Sequence, residues 1–161
     1  MSTEEKYKQL KYSPCQLADL EYRYCQSNAE LYKQLTDYGT GELFASAEVH
    51  TISYIEEHPG TTVTAIARRN GRSKSAVSQV VSKLEQKGLI RREHAAKNGR
   101  FTGLYVTAKG LQLSKAHKAF DLGYMGPQLN DMIALFGVEA VEHFYQIMEH
   151  MVKEQTADSE E

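Results

Sequence analysis

Between residues 62 and 87 the apolar positions recur at intervals of three and four, the spacing of one face of a helix. A short helix is predicted over 62–71, and Gly71 stands where a helix commonly ends in the left-handed conformation. Ser73 is placed to cap a second helix that continues to about Lys87, with Gly88 as its stop. The pattern therefore predicts two helices joined by a tight turn.

Downstream, the pattern changes to that of paired strands. Leu89 and Ile90 begin a predicted strand, Asn98-Gly99 is a strong hairpin-turn signal, and the return strand runs from Phe101 to Val106. Thr107 then caps another helix. The predicted fold class is mainly α with a small β-hairpin wing, a winged helix-turn-helix whose second helix suits a DNA major groove.

The second helix has two chemically different faces. Its apolar side comprises Val77, Val80, Val81 and Leu84. The opposite side is polar, and together with the preceding turn it supplies these predicted DNA contacts: Arg72, Ser73, Lys74, Ser75, Ser78, Gln79, Ser82 and Lys83. Gln pairs with adenine, Ser with base edges or phosphates, and Lys with phosphate or guanine. A solvated amphipathic helix is the alternative, but it would mix Glu with Lys.

Charge is unevenly distributed along the chain. The formal net charge is −2, yet residues 60–110 carry eleven Lys and Arg against two Glu. The remaining residues hold eight basic and nineteen acidic side chains, so a segment of +9 lies within a remainder of −11. A basic block that coincides with the motif is the electrostatic footprint expected of a nucleic-acid-binding surface.

Two stretches carry a family resemblance, Ser73-Lys-Ser-Ala-Val-Ser-Gln-Val-Val-Ser-Lys-Leu-Glu-Gln-Lys-Gly-Leu-Ile90 and Val106-Thr-Ala-Lys-Gly110. Over roughly residues 17–153 the chain resembles the MarR-type (multiple antibiotic resistance regulator) transcription factors. The resemblance implies a homodimer on a palindromic operator, usually a repressor released by a small molecule, an oxidant or a metal. It also implies wing contacts from Lys97 and Arg100, although the Asp and first Arg usual in that turn are absent here.

The flanking segments predict dimerisation helices. Leu17, Tyr24, Leu31 and Tyr38 recur every seven residues, with Leu20 and Leu35 on the same side. A second stripe lies near the C-terminus, and a shorter helix is expected before Gly137, lined by Met132, Ile133 and Phe136. The residues predicted to dimerise are Leu17, Tyr24, Leu31, Leu35, Phe144, Ile147 and Met151. Intrachain core is the alternative for each stripe.

Three effector chemistries remain open. His50 lies on a helix that Ser46 is predicted to cap and that extends through Glu57. His117 and Asp121 lie one turn apart after the wing. Zinc-sensing relatives place ligands on this helix pair, so zinc or a similar divalent cation is the one cofactor considered, with Glu48 as the next carboxylate. Scattered histidines are the simpler explanation.

Cys15 follows Pro14 at the start of the first predicted helix, where a helix N-terminus favours a thiolate and hence a redox switch. An inert cysteine is the commoner outcome. An aromatic or phenolic ligand between the dimer helices and the DNA-binding part is the third possibility, which the Tyr-rich first helix allows.

We expect four segments: an N-terminal helix of the dimerisation region over 1–45, the winged helix-turn-helix over 46–122, C-terminal dimerisation helices over 123–153 and a disordered acidic tail over 154–161. With no long apolar run, we expect a cytoplasmic protein without membrane contact. The absence of a phosphate loop, nucleophile elbow or His-Glu-x-x-His pattern argues against an enzyme. A winged helix used only for protein docking is the alternative function.

Overall fold

The computed structural model describes residues 8, 10–94 and 102–157. These residues form helices and short strands. In chain order they are α1 (Pro14–Lys33), β1 (Leu35–Asp37), β2 (Leu43–Ala45), α2 (Ser46–Glu57), α3 (Val63–Arg69), α4 (Lys74–Gln86), β3 (Ile90–His94), β4 (Thr102–Val106), α5 (Ala108–Phe136) and α6 (Val138–Ala157). The predicted fold class is confirmed. Within these ranges no helix combines the length and apolarity that crossing a membrane would require.

The local signals at the helix ends are used as predicted. Helices α3, α4 and α5 each begin at a hydroxyl side chain that accepts a backbone N–H. Thr62 accepts from Ala65, Ser73 from Ala76 and Thr107 from Gly110, at 3.1–3.2 Å. The wing lies between α4 and α5. Gly71 and Gly88 follow α3 and α4 with φ of 55° and 68°. Because non-glycine residues pay a steric cost at positive φ, these two glycines fix where the helices end.

The wing strands pair as an antiparallel ladder from Ile90 opposite Val106 to His94 opposite Thr102. The second strand is also held from its other side, since Leu104 exchanges backbone hydrogen bonds of 2.9 Å with Gly60 and Thr61. The wing base is therefore anchored to the segment before α3. The predicted Asn98-Gly99 turn, with Phe101, lies outside the described residues.

One core joins α2, α3, α4, the wing base and the start of α5. Its buried apolar residues are Phe44, Val49, Ile52, Ile55, Ile66, Ala67, Val77, Val81, Leu84, Leu89, Ile90, Leu104 and Leu113. We call residues 44–113, which contain all of them, the central lobe. Helices α1 and α6 and the second half of α5 are called the flanking helices.

The structure differs from the sequence prediction between residues 34 and 45, where β1 and β2 form a hairpin. Leu35 lies in β1 and Tyr38 follows it, so neither belongs to the heptad stripe on α1, which ends at Lys33. The cause is a local turn, since the Asp37 carboxylate accepts the N–H groups of residues 39, 40 and 41 at 2.8–3.1 Å. That turn competes with helix continuation.

Helix α5 is one helix of 29 residues, so the separate short helix expected before Gly137 was wrong. It crosses the expected segment boundary at 122/123 without interruption and contains Pro127. Helix α6 extends to Ala157, so residues 154–157, expected to start the disordered tail, are helical, as suits their helix-forming composition. Residues 158–161 lie outside the description.

The cap of α2 also differs from the prediction. Ser46 is the first helical residue rather than the cap, which is Ala45. Ala45 has no side-chain oxygen, and its own N–H instead donates to Glu48 Oε2 at 2.8 Å. Glu48 therefore replaces the expected serine in closing this helix end.

Candidate nucleic-acid interface

Helix α4 is held by its apolar side against the central lobe. Val77, Val81 and Leu84 are buried on that side, and Ile66 and Ala67 of α3 are buried in the same core. The tight turn at Gly71 sets the crossing of α3 and α4, with Arg72 N–H bonded to the Ala67 carbonyl at 3.0 Å. The rigid pair presents the other side of α4 outward.

The outward side of α4 consists of the polar residues predicted from sequence. Lys74, Ser75, Gln79 and Lys83 are exposed, and Ser78 and Ser82 are half-buried beside them. Arg72 and Ser73 are exposed in the preceding turn, where the Ser73 hydroxyl caps α4 and lies 3.1 Å from Ser75 Oγ. Lys97 and Arg100 lie outside the described residues. The face offers amide, hydroxyl and ammonium groups, the donors and acceptors used for base edges and phosphates.

Ion pairs reduce the part of the basic surface whose charge is available to a polyanion. Four of the basic residues between 60 and 110 are paired: Arg91 with Glu93 at 2.7 Å, Arg92 with Glu85 at 2.9 Å, Lys87 with Glu48 at 3.2 Å and Lys109 with Glu42 at 2.9 Å. Both acidic residues of that segment are used in these pairs. The positive charge available to a polyanion is thereby concentrated on the end of α3, the turn and α4, where Arg69, Arg72, Lys74 and Lys83 are exposed.

A polar seam joins α2 to α5 behind this surface. His117 is 3% exposed, and its ring lies edge-on to His50 with centroids 4.7 Å apart. Its Nε2 is 3.2 Å from Asp121 Oδ2 and its Nδ1 is 3.1 Å from Ser53 Oγ. A neutral imidazole satisfies both if Nε2 donates to Asp121 and Nδ1 accepts the serine hydroxyl. His50 and Asp121 thus each contact His117, and metal binding by the three residues stays a prediction.

The seam continues to Glu56, and its contacts shift the pKa values of His117 and Glu56. Ser114 Oγ is buried, donates to Glu56 and is 3.1 Å from Ser53 Oγ, while Lys118 Nζ reaches Glu56 at 2.9 Å. Burial lowers the pKa of His117, and this outweighs the opposing effect of Asp121. The hydrogen bond from Ser114, with Lys118, lowers the pKa of Glu56. The resting seam thus favours a neutral His117 and an ionised Glu56.

The seam, as arranged, does not form a cation site. No three His, Cys, Asp or Glu side chains in ranges 10–94 and 102–157 are grouped closely enough to share a metal ion. Both nitrogens of His117 already have partners. Glu48 is directed to Ala45 and Lys87 and not to His50. Metal binding here would require these hydrogen bonds to be exchanged for coordination.

A cavity of about 1100 Å³ opens beside the seam. Its wall includes His50 and Tyr54 of α2, Arg69 and Arg72 at the helix-turn-helix, and Val80 of α4. The Arg69 guanidinium lies 4.6 Å from the centre of the Tyr54 ring, which stacks on His58 on another side. Residues 149, 152 and 153 of α6 complete the wall. The cavity therefore touches both the flanking helices and the α3–α4 unit.

The residues predicted to dimerise lie on the surface of a single chain. The exposed fractions are 37% for Leu17, 56% for Tyr24, 60% for Leu35, 41% for Phe144, 59% for Ile147 and 40% for Met151. Intrachain core is therefore excluded for these six; the side chain of Leu31 is not described. Cys15 and Cys25 are both exposed with free thiols, and the redox role of Cys15 stays a prediction.

A model of the MarR family matches residues 45–100, which span α2 to the first wing strand. Over this segment the chain is similar to the MarR family. A curated relative, the uncharacterized HTH-type transcriptional regulator YhjH of Bacillus subtilis (strain 168), is 26% identical over 91 residues, which is 56% of this chain. The chain spans about half, 52%, of the length of that relative.

Solved MarR-type structures share the fold over most of the chain. FabT of Streptococcus pneumoniae in complex with DNA matches with a TM-score of 0.66 and 22% identity, over 84% of this chain and 98% of FabT. ZitR of Lactococcus lactis, a zinc-responsive MarR family member, matches with a TM-score of 0.64 and 18% identity, over 86% of this chain and 96% of ZitR. The likeness extends beyond the central lobe to the flanking helices.

Proposed function

We propose that this protein is a sequence-specific DNA-binding transcriptional regulator, a homodimeric repressor that occupies a palindromic operator and is released by an effector. The observation that carries the proposal is the outward side of α4, where Gln79, Ser75 and Lys83 are exposed while the opposite, apolar side is buried in the core. Glu85, the one acidic residue of α4, is paired with Arg92. A second copy would double the number of bases read, which is the usual way in which such a short helix attains specificity.

Protein docking and catalysis are less well supported. A winged helix used only for docking has no need of a basic outward face, and the ion pairing of the other basic residues concentrates charge on that face. The family is one of transcriptional regulators, and we propose that this chain has no enzymatic activity.

The test separates base reading from electrostatics. Gln79→Ala should weaken binding to the operator, sought first in the promoter region of the protein's own gene, by about 1–3 kcal/mol and change binding to random DNA little. Lys83→Ala should weaken both DNAs alike and reduce the salt-dependence slope by about one unit. Fluorescence anisotropy over a range of salt concentrations measures both.

Lys115→Ala is the matched control, because it removes an exposed lysine from α5, outside the helix-turn-helix. It should leave operator affinity unchanged. Equal losses on both DNAs for Gln79→Ala would remove that residue from base reading. A wild-type protein that binds its promoter no better than random DNA would overturn the proposed function and favour docking.

For the effector, we propose a small molecule bound in the cavity beside the seam, because a ligand there would contact α6 and the α3–α4 turn together. A regulatory zinc ion is the competing proposal. DNA binding with chelator and with added zinc distinguishes them. Zinc sensitivity that His50→Ala and His117→Ala both abolish supports the metal, whereas identical binding in all arms leaves the cavity as the effector site.

A further inference from the structure

We infer that Glu48 is a positioning residue for DNA reading: through Lys87 it holds the C-terminal end of α4, although it lies on α2 and faces away from the polar side. The inference rests on the proposed function, because it names a residue on which the accuracy of base reading depends. From the sequence, Glu48 is only the next carboxylate beside a possible metal site, a role for which its contacts leave no carboxylate oxygen free.

The two oxygens of Glu48 have different partners. Oε2 accepts the Ala45 N–H at 2.8 Å, and Oε1 accepts Lys87 Nζ at 3.2 Å. The side chain is only 9% exposed, compared with 33% for Lys87. A carboxylate this buried is costly unless it is paired and hydrogen-bonded, so the geometry of Glu48 is strongly constrained.

Lys87 gathers contacts from several elements at one helix end. It is the C-cap of α4, and its N–H is bonded to the last turn of that helix. Its ammonium group lies 4.3 Å from the centre of the ring of Phe44, a residue that is 1% exposed. Its carbonyl oxygen is 3.4 Å from Lys109 Nζ, which pairs with Glu42 at 2.9 Å. The end of α4 is thus tied to β2, α2 and the start of α5.

Apart from the more exposed Glu85–Arg92 pair, the remaining contacts of α4 with the lobe are of a different kind. The buried side is aliphatic, with Val77, Val81 and Leu84, and such contacts are not directional. They resist removal of the helix but discriminate weakly between small rotations about its axis. The Glu48–Lys87 pair is directional and buried, so it can set the rotation at the C-terminal end, while the Ser73 cap defines the other end.

Rotation matters more for base edges than for phosphates. Productive side-chain geometry at a binding site tolerates about 0.5 Å or 10–20° of error. A charge–phosphate attraction falls off gradually with distance, so it survives a small rotation of α4. Loss of the pair should therefore reduce the preference for the operator more than binding to random DNA.

The experiment uses Glu48→Gln, which keeps an oxygen for the Ala45 N–H but removes the charge that holds Lys87. We expect the ratio of operator to random-DNA affinity to fall about tenfold or more, in line with loss of one good base contact. Affinity for random DNA should change by less than about twofold. Lys87→Met should give the same loss of preference. Lys87→Arg, which keeps the charge and the length of the side chain, should keep most of the wild-type preference.

Glu85→Gln is the matched control. It breaks an ion pair at the same end of α4, with Arg92 at 2.9 Å, but the carboxylate of that pair is 40% exposed, compared with 9% for Glu48. Its operator preference should remain that of the wild type, because solvent-exposed pairs hold a helix weakly.

Stability is separated from positioning by the double variant Glu48→Gln/Lys87→Met, in which no unpaired charge remains. It should regain the unfolding midpoint of the wild type more closely than either single variant while retaining the low operator preference. If the double variant folds and keeps the wild-type preference, or if every loss is equal on both DNAs, Glu48 is only structural and the inference is overturned. If wild type itself shows no operator preference, the proposed function fails first.

Discussion

The central lobe and the flanking helices differ in whether their large apolar side chains are buried or exposed. Apart from Val141, every buried apolar residue of ranges 10–94 and 102–157 lies between 44 and 113. The large apolar side chains that are exposed lie on either side of the lobe, at 10–43 and at 120–152. One region has completed its core within a single chain, and the other has apolar stripes that a second chain would cover.

The difference shows how one chain can combine two requirements. A helix proposed to read bases has to be held in place, and close packing around α4 keeps it against the lobe. The flanking stripes on α1 and α6 expose several large apolar side chains side by side, which is typical of an interface. Changes in the lobe should therefore alter the fold, whereas changes on the stripes should alter assembly.

The largest effect is expected from Gly110→Ala in the first turn of α5. A Cβ at this position would collide with the carbonyl group of Leu89, where the helix lies directly on the backbone before the wing. Because backbone cannot move aside as a side chain can, the lobe should lose about 3 kcal/mol or more of unfolding free energy. Urea unfolding followed by circular dichroism measures the loss.

Gly123→Ala, in the same helix, is the control. A Cβ there meets nothing within 4 Å, so the change should stabilise the chain by roughly 0.5–1 kcal/mol through helix propensity alone. Equal behaviour of the two variants would mean that the close approach at Gly110 does not constrain the lobe.

The next effect concerns the stripes. Ile147 is 59% exposed in the single chain, so Ile147→Asp should leave the lobe folded. If the stripe on α6 packs between copies, the buried charge should raise the dimer dissociation constant by about a hundredfold, equivalent to ~3 kcal/mol. Analytical ultracentrifugation detects the monomer.

Gln146→Asp adds the same charge to α6 at an exposed polar position about 100° around the helix from Ile147, and it should preserve the dimer. Its measurement decides whether charge or position matters. A particle of unchanged mass from Ile147→Asp would show that the exposed stripe is not the assembly surface.

The smallest effect is a pH dependence of the seam that joins the two regions. Because burial lowers the pKa of His117 below its ordinary 6.5, the unfolded chain takes up the proton first as pH falls. The stabilisation from neutral His117 is complete above that ordinary pKa and declines as pH falls below it. Glu56, whose pKa is also lowered, loses its contribution only below its ordinary 4.5.

Unfolding midpoints at pH 7.5, 6.5 and 5.5 test this, with His117→Gln as the comparison. The variant should show a flatter profile between pH 7.5 and 5.5, since it lacks the group that titrates. A profile as steep as that of the wild type would assign the dependence to other groups.

Much of the central lobe was predictable because its signals are local. Thr62, Ser73 and Thr107 were placed as caps or helix starts from sequence, and Gly71 and Gly88 as stops, since each acts within one turn of its own position. The polar side of α4 followed from helical periodicity in the same way.

The parts that could not be predicted depend on distant residues or on competing local signals. Glu48 and Lys87 are 39 positions apart, so neither capping rules nor periodicity connects them. The β1–β2 hairpin was hidden by a seven-residue repeat, although Asp37 followed by Gly39 and Gly41 is a turn signal that could have revealed it. Helix α5 continues past Pro127 without a break and so includes the residues expected to form a separate short helix before Gly137.

The unbroken α5 acts as a lever, a stiff arm that transmits a tilt from one of its ends to the other. Its 29 residues extend about 43 Å, from the base of the wing to the far end of the flanking helices. A tilt of about 5° at one end displaces the other by ~4 Å, comparable to the separation of neighbouring base pairs. Pro127 lacks the N–H that would bond the carbonyl of Gly123, and Gly126 precedes it, so the stiffness of the lever is lowest near its middle. The position at which α5 bends determines how much of a relative movement of the two copies in the proposed homodimer reaches α4.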